Sequence, residues 1–234
     1  MKRLKADLHT HTADDPQDTI KYSAFELIDE AAIDGVEVLA ITCHLEQTCT
    51  PAYYDYATAR GVLLIPGVEL TLDGRHVVVL NPDREQCLAS TFDALRASRG
   101  RGEVVIAPHP YYPSHNCLKD ELVRHADLFD AIEYCSMYIP GINPNRRAVA
   151  EARRLGLPMV GNTDSHSLPY QCRTYSWISA KKNQDAVLDA IRSGCVDVAS
   201  VPAPLASFLA VSWDLIKRKA VQCVCRAQEQ MASS

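Results

Sequence analysis

Two short motifs with metal-binding chemistry bracket most of the chain. Asp7-Leu8-His9-Thr10-His11 stands near the start, and Thr163-Asp164-Ser165-His166 lies far downstream. On an extended segment, residues i and i+2 project to the same side, so His9 and His11 can bite one ion. Asp164 and His166 repeat that spacing with one carboxylate and one imidazole. Between the motifs, Ile41-Thr42-Cys43-His44 ends an apolar run with a histidine, and Ile65-Pro66-Gly67-Val68-Glu69 ends another with a carboxylate. His76 opens the run HVVVL, and His109 sits between Pro108 and Pro110, a rigid placement that suits a ligand. Singly, each has a plainer reading: an exposed polar pair, a helix cap, a salt-bridged acid, a satisfied loop histidine. Their joint order, HxH…H…E…H…H…DxH, is specific.

Six of the eight histidines fall at strand ends, counting His76 at a strand start. The C-terminal rim of a parallel barrel is where active sites are assembled from several strands. Mixed imidazole and carboxylate ligands suit Zn, Fe or Mn, whereas Mg and Ca prefer oxygen alone. The set exceeds the four ligands of a single zinc site, so it implies at least two ions bridged by a shared carboxylate and a hydroxide. Water bound to such an ion has its pKa lowered to about 7 and becomes a nucleophile at neutral pH.

The elements that must position these residues alternate along the chain. Short apolar runs predict strands at Leu4–His9, Val36–Thr42, Val62–Ile65 continuing to Glu69, and His76–Leu80. Others follow at Val104–Pro108, Ala131–Cys135, Met159–Thr163 and Thr174–Ser179. They are continuous rather than alternating, as expected of parallel strands covered on both faces. Ser23 with Glu26 forms a capping box ahead of a helix that Gly35 ends. Asn143 or Asn145 starts another, closed by Gly156. Strand–helix alternation of this kind predicts an α/β barrel, and no GxGxxG or GxxxxGK[ST] loop supports an open nucleotide-binding sheet. Leu205 to Met231 carries apolar residues at helical spacing, expected to form a helix across the barrel or against a second subunit.

The 234 residues carry 24 Lys+Arg against 29 Asp+Glu, a net charge of −5, with 47% apolar residues. That composition excludes disorder and fits one large core. The acidic balance argues against a non-specific grip on nucleic acid, so no long nucleic acid is expected as a partner. The charged start, MKRLK, lacks the apolar core of a signal peptide, and no stretch approaches a membrane span. Nine cysteines with no CxxC pair fit a reducing, cytoplasmic setting.

The order of DLHTHT, AITCH, IPGVE, RHVVVLN, APHP and NTDSH resembles the polymerase and histidinol phosphatase (PHP) family of metal-dependent phosphoesterases. The resemblance covers residues 1–201 as a hydrolase domain and leaves 202–234 as a C-terminal helical extension. It implies a distorted (βα)7 TIM-like barrel holding two or three divalent ions (Zn, Fe or Mn) at its rim. By position it assigns His9, His11, Asp18, His44, Glu69, His76, His109, Asp164 and His166 as metal ligands, with Glu69 bridging. The resemblance gives catalysis to Glu69, Asp164 and His166. Asp14 and Asp15 compete with Asp18 for its place. Cys43 stands where the family commonly has Asp, and a thiolate ligand there is a further candidate. The implied activity is hydrolysis of mono- or diesters of a small phosphorylated substrate or nucleotide by a metal-bridging hydroxide. Rival readings are an amidohydrolase-like amide or lactone hydrolase and a non-catalytic metal-binding protein. Arg75, Arg146, Arg147 and Arg173 are phosphate-binding candidates by location, Tyr111 and Tyr112 could line the pocket, and a homo-oligomer through the C-terminal helix is open.

Overall fold

The computed structural model describes residues 3–100 and 102–205. The C-terminal helix expected beyond Leu205 therefore lies outside the described residues. Nine strands form one sheet: β1 (Arg3–Asp7), β2 (Val38–Ile41), β3 (Leu63–Leu72), β4 (Arg75–Leu80), β5 (Val104–Ala107), β6 (Ala131–Cys135), β7 (Met159–Asn162), β8 (Thr174–Ser179) and β9 (Val196–Ser200). The connections hold α1 (Ala24–Ile33), α2 (Pro51–Ala59), α3 (Arg84–Cys87), α4 (Phe92–Ala97), α5 (Glu121–Arg124), α6 (Asn145–Leu155) and α7 (Gln184–Arg192).

The order β7-β6-β5-β4-β3-β2-β1-β8-β9 curls into a nearly closed barrel. β7 meets β8 without a backbone ladder. The Ser176 hydroxyl instead accepts from Gly161 N–H at 2.9 Å and donates to its carbonyl at 3.1 Å. A Cβ at Gly161 would stand 2.6 Å from the Tyr175 carbonyl oxygen, so only glycine lets the strands approach this closely.

The mixed α/β barrel-like architecture is as expected, but it is not uniformly parallel. β3–β4, β4–β5, β1–β8 and β8–β9 are antiparallel, and β9 was not anticipated. The first departure follows from Asp73-Gly74, a two-residue turn with φ of 48° and 79° that folds β4 back on β3. The apolar runs still have both faces covered. Along β4, Val78 and Leu80 enter the barrel interior, while Val77 and Val79 pack outward with Phe92 and Leu95 of α4. α1 begins as the capping box predicts, with Ser23 N–H on Glu26 Oε2 at 2.8 Å and Glu26 N–H on Ser23 Oγ at 3.3 Å. α6 ends at Gly156 in the left-handed conformation.

Antiparallel β4 accounts for His76, which stands at the start of its strand while the other candidates follow theirs. Reversal of the strand brings its first residues to the rim where β1, β2 and β3 deliver His9, His44 and Glu69.

Candidate metal centre

The inward faces of the strands continue upward into polar side chains. Glu69 follows Ile65 on β3, His76 precedes Val78 on β4, and Glu133 follows Ala131 on β6. His9 and His11 just after β1 are fully buried, and Glu69 is 1% exposed.

Glu69 is the hub. Its Oε2 lies 3.4 Å from Nε2 of His9, 3.4 Å from Nε2 of His11 and 3.1 Å from Nε2 of His44. Its Oε1 lies 2.7 Å from His76 Nδ1 and 3.3 Å from His109 Nε2. The Nε2 atoms of His9 and His11 are 3.2 Å apart, and each is 3.4 Å from Asp164 Oδ1. Four atoms from four residues thus converge. Ligands about 2.0–2.1 Å from a tetrahedral ion are separated by about 3.3–3.4 Å, so the donor set fits a small divalent metal. Asp164 Oδ1 is moreover a buried oxygen with no hydrogen-bond partner, which a cation would satisfy. Among the described residues, the groupings able to hold an ion are His9–Glu69–His109, His9–His11–Asp164 and His11–His44–Glu69.

His109 and Asp164 both have positive φ, 29° and 51°, a strained conformation that clusters at functional sites. His166 stacks on His11 with ring centroids 4.3 Å apart and places Nε2 3.0 Å from Asp18 Oδ2. Its Nδ1–H donates to the Asp164 carbonyl at 2.9 Å. Asp164, His166 and Asp18 are 13%, 14% and 24% exposed at their side chains and form the open side of the cluster.

The electrostatics follow from crowding buried acids against imidazoles. Burial pushes the His9 imidazole down, but Glu133, Asp164 and Glu69 outweigh it and hold it at about 10. Burial pushes Glu69 and Asp164 up, and the surrounding histidines hold both well below the usual carboxylate range.

All nine sequence-assigned ligands are brought to one rim. Asp18 faces His166, whereas Asp15 takes a different place: one oxygen, Oδ2, lies 2.8 Å from His11 Nδ1 and 2.9 Å from His44 Nδ1. Those ring nitrogens face away from Glu69, so Asp15 orients two histidines from behind. Sequence reasoning also passed over Glu133, Asn116 and Cys117. Asn116 Nδ2 lies 2.9 Å from His76 Nε2, and Cys117 Sγ lies 3.4 Å from His109 Nδ1. Cys43 packs in the core with its Sγ 3.5 Å from Thr12 Oγ1, outside the ligand groupings. Tyr112 is buried with its hydroxyl on the Cys135 carbonyl, a packing role. Arg75 donates to the carbonyls of His115 and Cys117, Arg147 pairs with Asp120 over the Tyr111 ring, and Arg173 bonds Gln171.

A model of the family described as PHP-associated matches residues 143–196, from α6 to the start of β9. No curated protein matches the chain. Among solved structures, a two-domain protein from Bacteroides vulgatus containing a predicted PHP-like metal-dependent phosphoesterase superposes with a TM-score of 0.66 at 18% identity. The match covers 85% of this chain but only 65% of that longer one. PsfC from Pseudomonas syringae gives 0.66 at 20% identity, covering 94% of this chain and 100% of its own. Endonuclease Q, solved with a 27-mer duplex carrying an abasic lesion at its active site, gives 0.57 at 12% identity, covering 90% of this chain and 67% of that one. The last match corrects the expectation that no long nucleic acid is a partner. Net charge reports the whole surface and does not decide such a partner: endonuclease Q, similar in fold, takes a duplex with an abasic lesion at its active site. Among the described residues, no helix is long and apolar enough to cross a membrane. The resemblance drawn from the motifs therefore stands: the chain carries a PHP-associated segment and has the fold of the PHP-like metal-dependent phosphoesterases.

Proposed function

We propose that this chain is a metal-dependent hydrolase of phosphate esters. The observation that carries the reading is Glu69, a buried carboxylate whose two oxygens face histidines on opposite sides, as a carboxylate shared between ions must. His9, His11 and Asp164 would hold one ion with Glu69, and His109, facing the other Glu69 oxygen beside His76, would serve a second. His44 would serve an ion with His11 and Glu69, and His166 and Asp18 stand beside it at the open side. Zn, Fe and Mn match this donor chemistry. Bound ions of this kind supply a nucleophile at neutral pH and neutralise charge on the phosphoryl group.

The chain's own residues do the rest. Asp15 and Glu133 lock imidazoles from behind, so the donors need no reorganisation when substrate arrives. Substrate enters beside Asp164, His166 and Asp18, the exposed members of the cluster. His166, fixed by the Asp164 carbonyl on Nδ1, presents Nε2 beside Asp18 at the open side, where it would serve as a ligand. Arg75 is held by the carbonyls of His115 and Cys117, and Arg147 pairs with Asp120 at the surface. The seven described cysteines are unpaired, which supports a cytoplasmic setting.

The test is elemental analysis of gently purified protein, with turnover of p-nitrophenyl phosphate, bis-p-nitrophenyl phosphate, abasic duplex DNA and a panel of amides and lactones before and after chelation. Two or three equivalents of metal and chelator-sensitive hydrolysis are expected. Bound metal with hydrolysis only of amides or lactones would move the assignment to the amidohydrolase reading. Protein that takes up no Zn, Fe or Mn would refute the metal site.

A further inference from the structure

The Glu133 carboxylate is fully buried beneath the cluster, on the inward face of β6. Three groups from three segments converge on its two oxygens. Nδ1 of His9 lies 3.0 Å from Oε1, Nδ2 of Asn162 lies 2.9 Å from Oε1, and the backbone N–H of His109 lies 2.7 Å from Oε2.

Two of the three can only donate. A backbone N–H has no other role. Asn162 accepts Leu8 N–H on its Oδ1 at 3.0 Å, which leaves its Nδ2 as the group facing Glu133. With a fixed donor on each oxygen, Glu133 acts as a charged acceptor, and the His9 nitrogen facing it is an N–H as well. Once His9 is neutral, as a metal ligand must be, its lone pair is on Nε2, the atom that meets His11, Glu69 and Asp164 at 3.2, 3.4 and 3.4 Å. The same carboxylate clasps His109 at its left-handed φ of 29°, while the His109 ring reaches Glu69 Oε1 at 3.3 Å.

We propose that Glu133 is a positioning residue that sets His9 as the Nδ1–H tautomer and anchors the strained backbone of His109. One buried carboxylate thereby places the two histidines that address opposite oxygens of Glu69. The inference rests on the metal-site reading of the cluster. A glutamine here would offer one acceptor and two N–H groups to three donors, so a donor would be left facing a donor. An aspartate keeps the charge but is one methylene shorter, and reaches fewer of the three.

The experiment measures zinc affinity of full-length wild type, Glu133→Gln and Glu133→Asp by competition with a chromophoric chelator. It is paired with histidine ¹⁵N NMR of the zinc-loaded wild type and melting curves of each variant. Glu133→Gln should bind its tightest zinc about 10–100-fold more weakly, with Glu133→Asp between it and wild type. The NMR should show His9 protonated on Nδ1 and metal-bearing on Nε2. A folded Glu133→Gln with wild-type affinity would overturn the proposal, as would zinc on His9 Nδ1. Should Glu133→Gln fail to fold, Glu133→Asp and the wild-type spectrum decide. Wild type that binds no zinc would instead remove the metal-site reading, and this inference with it.

Discussion

His76 and Glu69 sit diagonally across the β3–β4 hairpin, with His76 Nδ1 2.7 Å from Glu69 Oε1. The register pairs Glu69 with Val78 and Thr71 with His76, so the two side chains share the inward face. The hairpin turn is therefore part of the site: the same fold-back that makes the barrel irregular delivers a histidine to the second oxygen of Glu69.

Glu69→Gln replaces one of those oxygens with an amide N–H that faces imidazole nitrogens. Losing an orienting partner alone costs about 10–100-fold in metal affinity, so losing the shared ligand should cost at least about 100-fold in turnover. At least one equivalent of bound metal should be lost as well. Metal analysis and phosphoesterase assays of the folded variant check this. Retention of full metal content would remove Glu69 from the bridging position.

The metal-free chain should lose stability as pH rises. His9 titrates at about 10 in the folded state, against about 6.5 for an unperturbed imidazole. Burial lowers His11 and His109, but the hydrogen bond His11 donates to Asp15 and that between His109 and Cys117, with the nearby carboxylates, outweigh it and raise both. Between those values the folded state binds more protons than the unfolded state, so stability is greatest below about 6.5 and falls toward 10. Metal takes the place of those protons, so its affinity should rise over the same range. Thermal melts in chelator from pH 6 to 9 should show Tm decreasing. A Tm that climbs with pH would contradict the proton-rich apo site.

Much of this centre was legible because its ligands are rare residue types set at strand ends. His9, His11, Asp164 and His166 declare themselves by i, i+2 spacing, and Ser23 with Glu26 by the capping box. The supporting groups were not legible. Glu133 meets His9 across 124 residues of chain, and nothing in AIEYC says which histidine lies above it. An acid inside an apolar strand was the available signal. The distance back from His44 favoured Asp18 over Asp15, but spacing gave no sign that both reach the rim, Asp15 behind His11 and His44 and Asp18 against His166. The antiparallel strands were hidden for a related reason. A run buried on both faces looks alike in either direction, and only Asp73-Gly74 marked the reversal.

The barrel seam offers a stability test remote from the metals. In Gly161→Ala the new Cβ would meet the Tyr175 carbonyl oxygen at 2.6 Å and Val198 Cγ1 at 3.0 Å. Backbone cannot yield as a flexible side chain would, so a cost of about 1–3 kcal/mol is expected. For a domain of this size that corresponds to a Tm lower by roughly 2–12 °C. An unchanged Tm would mean that β7 is not held against β8 and β9 as described.

The open side of the cluster separates chemistry from folding. Asp164 and His166 are partly exposed, and the Asp164 side chain serves the cluster, with Oδ1 unpartnered by any hydrogen bond. The backbone around it is secured independently. Asp164 N–H donates to the His9 carbonyl at 3.0 Å, and the neighbouring Thr163 is clasped by Asp7 through its N–H at 3.0 Å and its hydroxyl at 2.6 Å. Replacing both Asp164 and His166 with alanine should therefore leave the fold intact, because these backbone and Thr163 bonds, not the two side chains, hold the segment in place. Metal-dependent phosphoester turnover should nonetheless disappear. Circular dichroism and a melt establish folding, and assays with added Mn, Fe or Zn establish the loss. A folded double variant with full turnover would show that hydrolysis does not pass through this rim.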